Sequence, residues 1–181
     1  MRWLKDTAAE TDTAVVFLAG HGLARGEGSY YFLCHDTSMA DLDHTALPWP
    51  DCVDVLREVR AKRLLLLVDT CHAGFVTGRR TTDQLIDRLN RTAGVLVFAA
   101  SSGEGVSTER NDWGHGAFTT AVLEALAGKA DTPPADRQVT LQELRSYVIR
   151  RVEELTDGRQ HPYLPRLQEF DPQAVVASLG P

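Results

Sequence analysis

Three short apolar runs stand out from an otherwise mixed sequence, and each stops abruptly in polar residues. Val15–Ala19 ends in Gly20, His21 and Gly22. Leu64–Val68 ends in Asp69, Thr70, Cys71, His72, Ala73 and Gly74, and Gly94–Ala100 ends in Ser101, Ser102, Gly103 and Glu104. Runs of this length, rich in Leu and Val, read as buried strands of a parallel sheet rather than as helices. The aromatic run Tyr30–Leu33, before Cys34, His35 and Asp36, fits a small hairpin or an edge strand. Between the strands the period changes to that of a helix. Asp51–Arg60 places Val53, Leu56 and Val59 on one face, Thr82–Arg91 does the same with Leu85, Ile86 and Leu89, and Ala117–Ala127 with Phe118, Val122 and Leu126, closed by Gly128. Thr140 and Glu143 form a capping box that opens a helix over Leu141–Leu155, with a stripe of Leu141, Leu144, Val148, Val152 and Leu155. Trp3 and Leu4 suit a short helix at the start. Thr37–Pro50, with Pro48 and Pro50 as breakers, reads as loop, and Lys129–Arg137 as a surface linker. Tyr163–Phe170, interrupted by Pro165, is an edge strand or an extended segment. Strand and helix alternate, which predicts one α/β domain, a three-layer sandwich on a largely parallel sheet.

In open α/β sheets chemistry gathers at the carboxyl ends of the strands, so Cys71 is a candidate nucleophile by position. If the first two runs are adjacent parallel strands, His21 emerges on the same sheet edge as Cys71, as its base. A thiol attacks as thiolate, and an imidazole can take its proton and later protonate a leaving amine. Gly22, lacking a side chain, lets its amide approach an oxyanion alongside that of Cys71. Asp69, two residues before Cys71 on an extended chain, points to the same side and can line a neighbouring pocket.

Composition narrows the partners. The chain has 181 residues, 43% of them hydrophobic, with a formal charge of -6, and one core suffices. Scattered Lys and Arg argue against nucleic acid, which wants a concentrated basic face. Cys34, Cys52 and Cys71 cannot all pair with one another and show no Cys-x-x-Cys spacing, so a reducing, cytoplasmic setting is expected. No apolar run approaches the roughly 20 residues of a membrane helix. His21, Cys71 and His72 around a zinc ion would lack the usual ligand spacing, and Asp83 and Asp87 make no convincing calcium cluster, so no metal or cofactor is expected.

Gly20-His21-Gly22 after one strand, Asp69-Thr70-Cys71-His72-Ala73-Gly74 after the next, and Gly116-Ala117-Phe118-Thr119 opening a helix after a third together resemble the caspase-like cysteine peptidases. The match is closest to metacaspases and their bacterial relatives, and it covers about Ala14–Leu167. Gly28–Asp36 is similar to the segment that follows the histidine in bacterial members. The resemblance implies a protein or peptide substrate, a Cys71–His21 dyad, and oxyanion donors at the amides of Gly22 and Cys71. In metacaspases the position matching Asp69 binds Arg or Lys before the scissile bond, and Glu104 aligns with a second acidic pocket position if Gly103–Glu109 matches the family's loop. Caspases are cut between their large and small parts at the place occupied here by Thr77–Thr82, which carries Arg79-Arg80. The family also carries a strand, a helix and a further strand ahead of the histidine strand, where this chain has Met1–Thr13. Either the chain is a fragment that lacks the amino-terminal part of the usual domain, or another chain completes the sheet, and a partner segment or chain is expected there.

Two other readings compete with a peptidase cleaving after Arg or Lys. A non-catalytic caspase-fold domain that binds a regulatory partner would be supported by loss of Cys71 or His21, and both are present. A nucleotide-binding α/β domain would need a Gly-rich phosphate loop after a strand, and none follows any of the three runs.

Overall fold

Five consecutive apolar residues, Leu64–Val68, leave no face of a strand fit for water, so the run must be covered on both sides. In the computed structural model it is. The structure describes residues 2–25, 29–73, 95–100, 115–164 and 170–180, with Ala24 and residues 71–73 described by their backbone. In chain order the described elements are α1 (Arg2–Thr7), β1 (Thr13–Arg25), β2 (Ser29–Leu33), α2 (Leu42–Thr45), β3 (Leu47–Pro48) and α3 (Trp49–Arg57). There follow β4 (Arg63–Ala73), β5 (Val95–Ala99), α4 (Ala117–Glu124) continuing into a π-helical turn (Ala125–Lys129), β6 (Gln138–Thr140), α5 (Leu141–Leu155) and β7 (Val175–Ser178).

The central sheet has the order β3-β2-β1-β4-β5. Strands β1, β4 and β5 are parallel, and β2 and β3 complete the sheet antiparallel. Its two faces are covered by different helices because strand side chains alternate. Leu65, Leu67, Leu96 and Phe98 pack with Phe118, Val122, Leu144 and Val148 of α4 and α5. Leu64, Leu66, Val68 and Val97 pack with Trp49, Val53 and Leu56 of α3. Each fully buried Leu or Phe contributes about 1.5–3 kcal/mol relative to exposure, so β4, buried on both faces, anchors the molecule. The expected three-layer α/β sandwich on a mostly parallel sheet is the fold observed.

Several boundaries differ from the expectation, each for a physical reason. β1 runs on through Gly20, His21 and Gly22 to Arg25, because β2 returns antiparallel beside residues 21–25 and supplies partners that the apolar run alone does not reveal. β4 likewise continues through Asp69 to Ala73, alongside β1. Pro50 is no breaker: it sits in the first turn of α3, where a missing N–H costs nothing. Thr37–Pro50 contains the single turn α2 and the two-residue β3 rather than loop alone. The small β6–β7 sheet was not legible, since three- and four-residue strands carry too little alternation. The α5 helix spans Leu141–Leu155 as expected, with the reciprocal Thr140–Glu143 capping box in place. Gly128 turns the chain out of the π-helical turn at φ 102°, a conformation that favours glycine. Tyr163 pairs antiparallel with Ala99 through two backbone bonds of 2.9 Å, as an extended segment on the outer side of β5. The helix expected over Thr82–Arg91 and the loop Thr77–Thr82 lie outside the described residues. Among the described residues no helix is long and apolar enough to cross a membrane.

Candidate active site

The register of the two inner strands sets the site. β1 and β4 pair in parallel from Thr13 opposite Arg63 through Leu23 opposite Ala73, and the register puts His21 opposite Cys71. Parallel neighbours lie about 4.8 Å apart in the hydrogen-bonding direction, so the two backbones are adjacent at these residues. Parity tells the faces apart. Ala14, Val16 and Leu18 of β1 and Leu64, Leu66 and Val68 of β4 belong to the α3 side, while Leu65 and Leu67 belong to the side of α4 and α5. By the two-residue period, positions 21 and 69 fall on the α4 side of the sheet. His21 is exposed there.

Asp69 is buried yet engaged. Its Oδ2 accepts from the backbone N–H of Thr119 at 3.3 Å and from the Thr119 hydroxyl at 2.5 Å. Thr119 is the third residue of α4, whose N-cap, Gly116, has no side chain to offer. Asp69 therefore caps α4 from a neighbouring strand, and its negative charge suits the positive end of the helix dipole. Sequence reasoning singled out Asp69 as a pocket acid and missed Thr119. The available signal was a helix opening on Gly116, which needs an acceptor from elsewhere for its first amides.

On the opposite, α3 side of the same strand ends lies Tyr30. Its hydroxyl is 2.8 Å from Thr70 Oγ1, and both residues are buried. Its ring meets Trp49 edge-on, with centroids 5.9 Å apart and an interplanar angle of 88°. A Cβ on Gly22 would lie 1.7 Å from the Tyr30 hydroxyl oxygen. Gly22 is thus required by packing as well as by any role of its amide.

The other two thiols are set apart. Cys52 is buried in the α3 cluster, and burial pushes its pKa up to about 11, which keeps it a thiol at neutral pH. Cys34 is exposed just beyond β2. Of the other histidines, His44 pairs with Asp41 at 2.7 Å and His161 with Glu153 at 3.0 Å, both on the surface. Among the described residues no three His, Cys, Asp or Glu side chains cluster as a metal site. Glu104 lies outside the described residues.

No curated protein matches the chain. A family model described as the caspase domain matches residues 1–170, nearly the whole chain, so this protein belongs to the caspase-domain family of cysteine peptidases.

Proposed function

We propose that the chain is a cysteine endopeptidase that hydrolyses peptide bonds after Arg or Lys, with Cys71 as nucleophile and His21 as general base. The observation that carries this reading is the parallel register that sets His21 opposite Cys71 on adjacent strands. The imidazole accepts the thiol proton, and the thiolate adds to the scissile carbonyl. Collapse of the tetrahedral intermediate breaks the C–N bond, with the proton passing from His21 to the leaving amine. Water then attacks the thioester, giving up a proton to His21; the C–S bond breaks, the acid is released, and the Cys71 thiolate recovers the proton from His21. The backbone amides of Gly22 and Cys71 are the oxyanion donors in this scheme. β1 is flanked by both β2 and β4 at residues 21–23, so this role requires the strand ends to open locally as substrate enters.

Asp69 supplies the preference for a basic side chain. A carboxylate offers about four lone-pair sites, and a guanidinium entering beside the nucleophile can share them. Arg is preferred over Lys because its planar fork matches a carboxylate. Glu104 is proposed as a second acidic contact.

The test is a set of fluorogenic peptides that differ only in the residue before the cleaved bond. Wild type should cleave Arg above Lys and reject Asp, whereas folded Cys71→Ala and His21→Ala should be inactive. Wild-type rates in Cys71→Ala would overturn the mechanism. A preference for Asp would overturn the pocket alone.

A further inference from the structure

We infer that Tyr30 is a positioning residue for the reaction, holding the ends of β1 and β4 in register from the face of the sheet opposite the chemistry; this rests on the reading of Cys71 and His21 as the reacting pair. Tyr30 stands on β2, opposite Ala24 of β1, and reaches across β1 to β4. Two of its contacts fall on the immediate chain neighbours of the proposed dyad. Gly22, against which the phenol lies, follows His21; Thr70, which shares a hydrogen bond with the phenol, precedes Cys71.

The geometry makes this a brace rather than a generic core contact. The ring is held by Trp49 on one side, so the hydroxyl has little freedom to follow a displaced strand. Thr70 is 1% exposed, and burial strengthens the hydrogen bond and raises the cost of breaking it. Sliding β4 along β1, or lifting the Gly22 backbone, would break the bond or drive the chain into the phenol. Both motions would also change the separation of residues 21 and 71. The sequence pattern required here is a Tyr on the returning strand, a Gly after the histidine and a hydroxyl residue before the cysteine.

The test is Tyr30→Phe, which keeps the ring against Trp49 and Gly22 and removes the bridge to Thr70. Thr70→Val and the double variant complete a cycle, all in a Cys34→Ser background so that the exposed thiol does not report. Two readouts are taken: peptide hydrolysis, and the rate of Cys71 alkylation by iodoacetamide as a function of pH, read by mass spectrometry. For Tyr30→Phe, kcat should fall about tenfold with KM within about twofold, the scale expected from small misplacements of reacting groups. The alkylation profile should move to higher pH, because the imidazole that favours the thiolate is less well placed. Thr70→Val and the double variant should give the same losses, without addition. Wild-type kcat and a wild-type alkylation profile in Tyr30→Phe would overturn the inference, whatever happens to thermal stability. Failure of the peptidase reading has a different signature, activity persisting in Cys71→Ala, while the alkylation profile still reports on Tyr30.

Discussion

Asp69 shows how one side chain takes on two duties. The same carboxylate caps α4 through Thr119 and is proposed to receive the substrate's guanidinium, so its replacements should separate the two. Asp69→Asn keeps an acceptor for the Thr119 amide but removes the charge. It should cut kcat/KM for Arg peptides sharply and leave Cys71 alkylation unchanged; unaltered Arg cleavage would refute the pocket role. Asp69→Ala should in addition lower stability by about 1 kcal/mol, the usual cost of a lost cap, measurable by urea unfolding. Cys52 makes the opposite point, because burial alone decides its chemistry. With its pKa raised to about 11, it should resist alkylation in the folded protein at pH 8 and react once denaturant exposes it.

At the scale of elements, α4 and α5 are joined by Glu124. It takes Arg151 Nε at 2.8 Å, the Tyr147 hydroxyl at 2.8 Å and Lys129 Nζ at 3.0 Å. The hydrogen bond from Arg151 is the largest influence that brings the Glu124 pKa down to about 2, from an ordinary value of 4.5. A carboxylate whose pKa is lower folded than unfolded stabilises the fold above its unfolded pKa. That contribution is fully present above about pH 5 and is lost as the pH falls through 4.5 towards 2. Glu124→Gln should therefore cost stability at pH 7, about 2 kcal/mol on the scale of hydrogen bonds to charged groups, and flatten the acid limb of the stability curve. If wild type and variant lose stability in parallel below pH 5, Glu124 is not the linkage site. The capping box at the start of α5 is separable from this: Thr140→Ala should cost about 1 kcal/mol at any pH above the carboxylate range.

For the whole molecule, the sheet has one side that invites company. Over Thr13–Gly20, β1 has among the described residues a strand neighbour on the β4 side alone, since β2 reaches only residues 21–25. Val15 and Phe17, on the α4 side of that edge, are 43% and 42% exposed. An edge with unpaired backbone groups and apolar side chains is a template for strand addition. A partner segment or chain that completes the sheet is the expected occupant and would cover Phe17, and a second copy is the occupant that the purified protein alone can test. Light scattering after gel filtration should show concentration-dependent association, weakened by Phe17→Lys. A monomer at every concentration, with rapid amide exchange at Val15 and Phe17, would count against it.

The period of the apolar positions was enough to read the α/β order, the buried β4 strand and the α5 helix with its capping box, because each depends on residues close in sequence. It also singled out His21, Cys71 and Asp69 as candidates, because each follows an apolar run, although both strands continue beyond the point where the run stops. The register that sets residue 21 opposite residue 71 is another matter: it depends on hydrogen bonds between strands some fifty residues apart, and nothing local encodes it. The extension of β1 to Arg25 depended in the same way on β2 returning beside it. Tertiary packing alone recruited Asp69 to the amino end of α4, because an N-cap glycine says only that an acceptor is needed and not where it stands. It alone brought Tyr30 across β1 to Thr70, turning Gly22 from a flexible residue after a histidine into the one residue type that fits beneath the phenol.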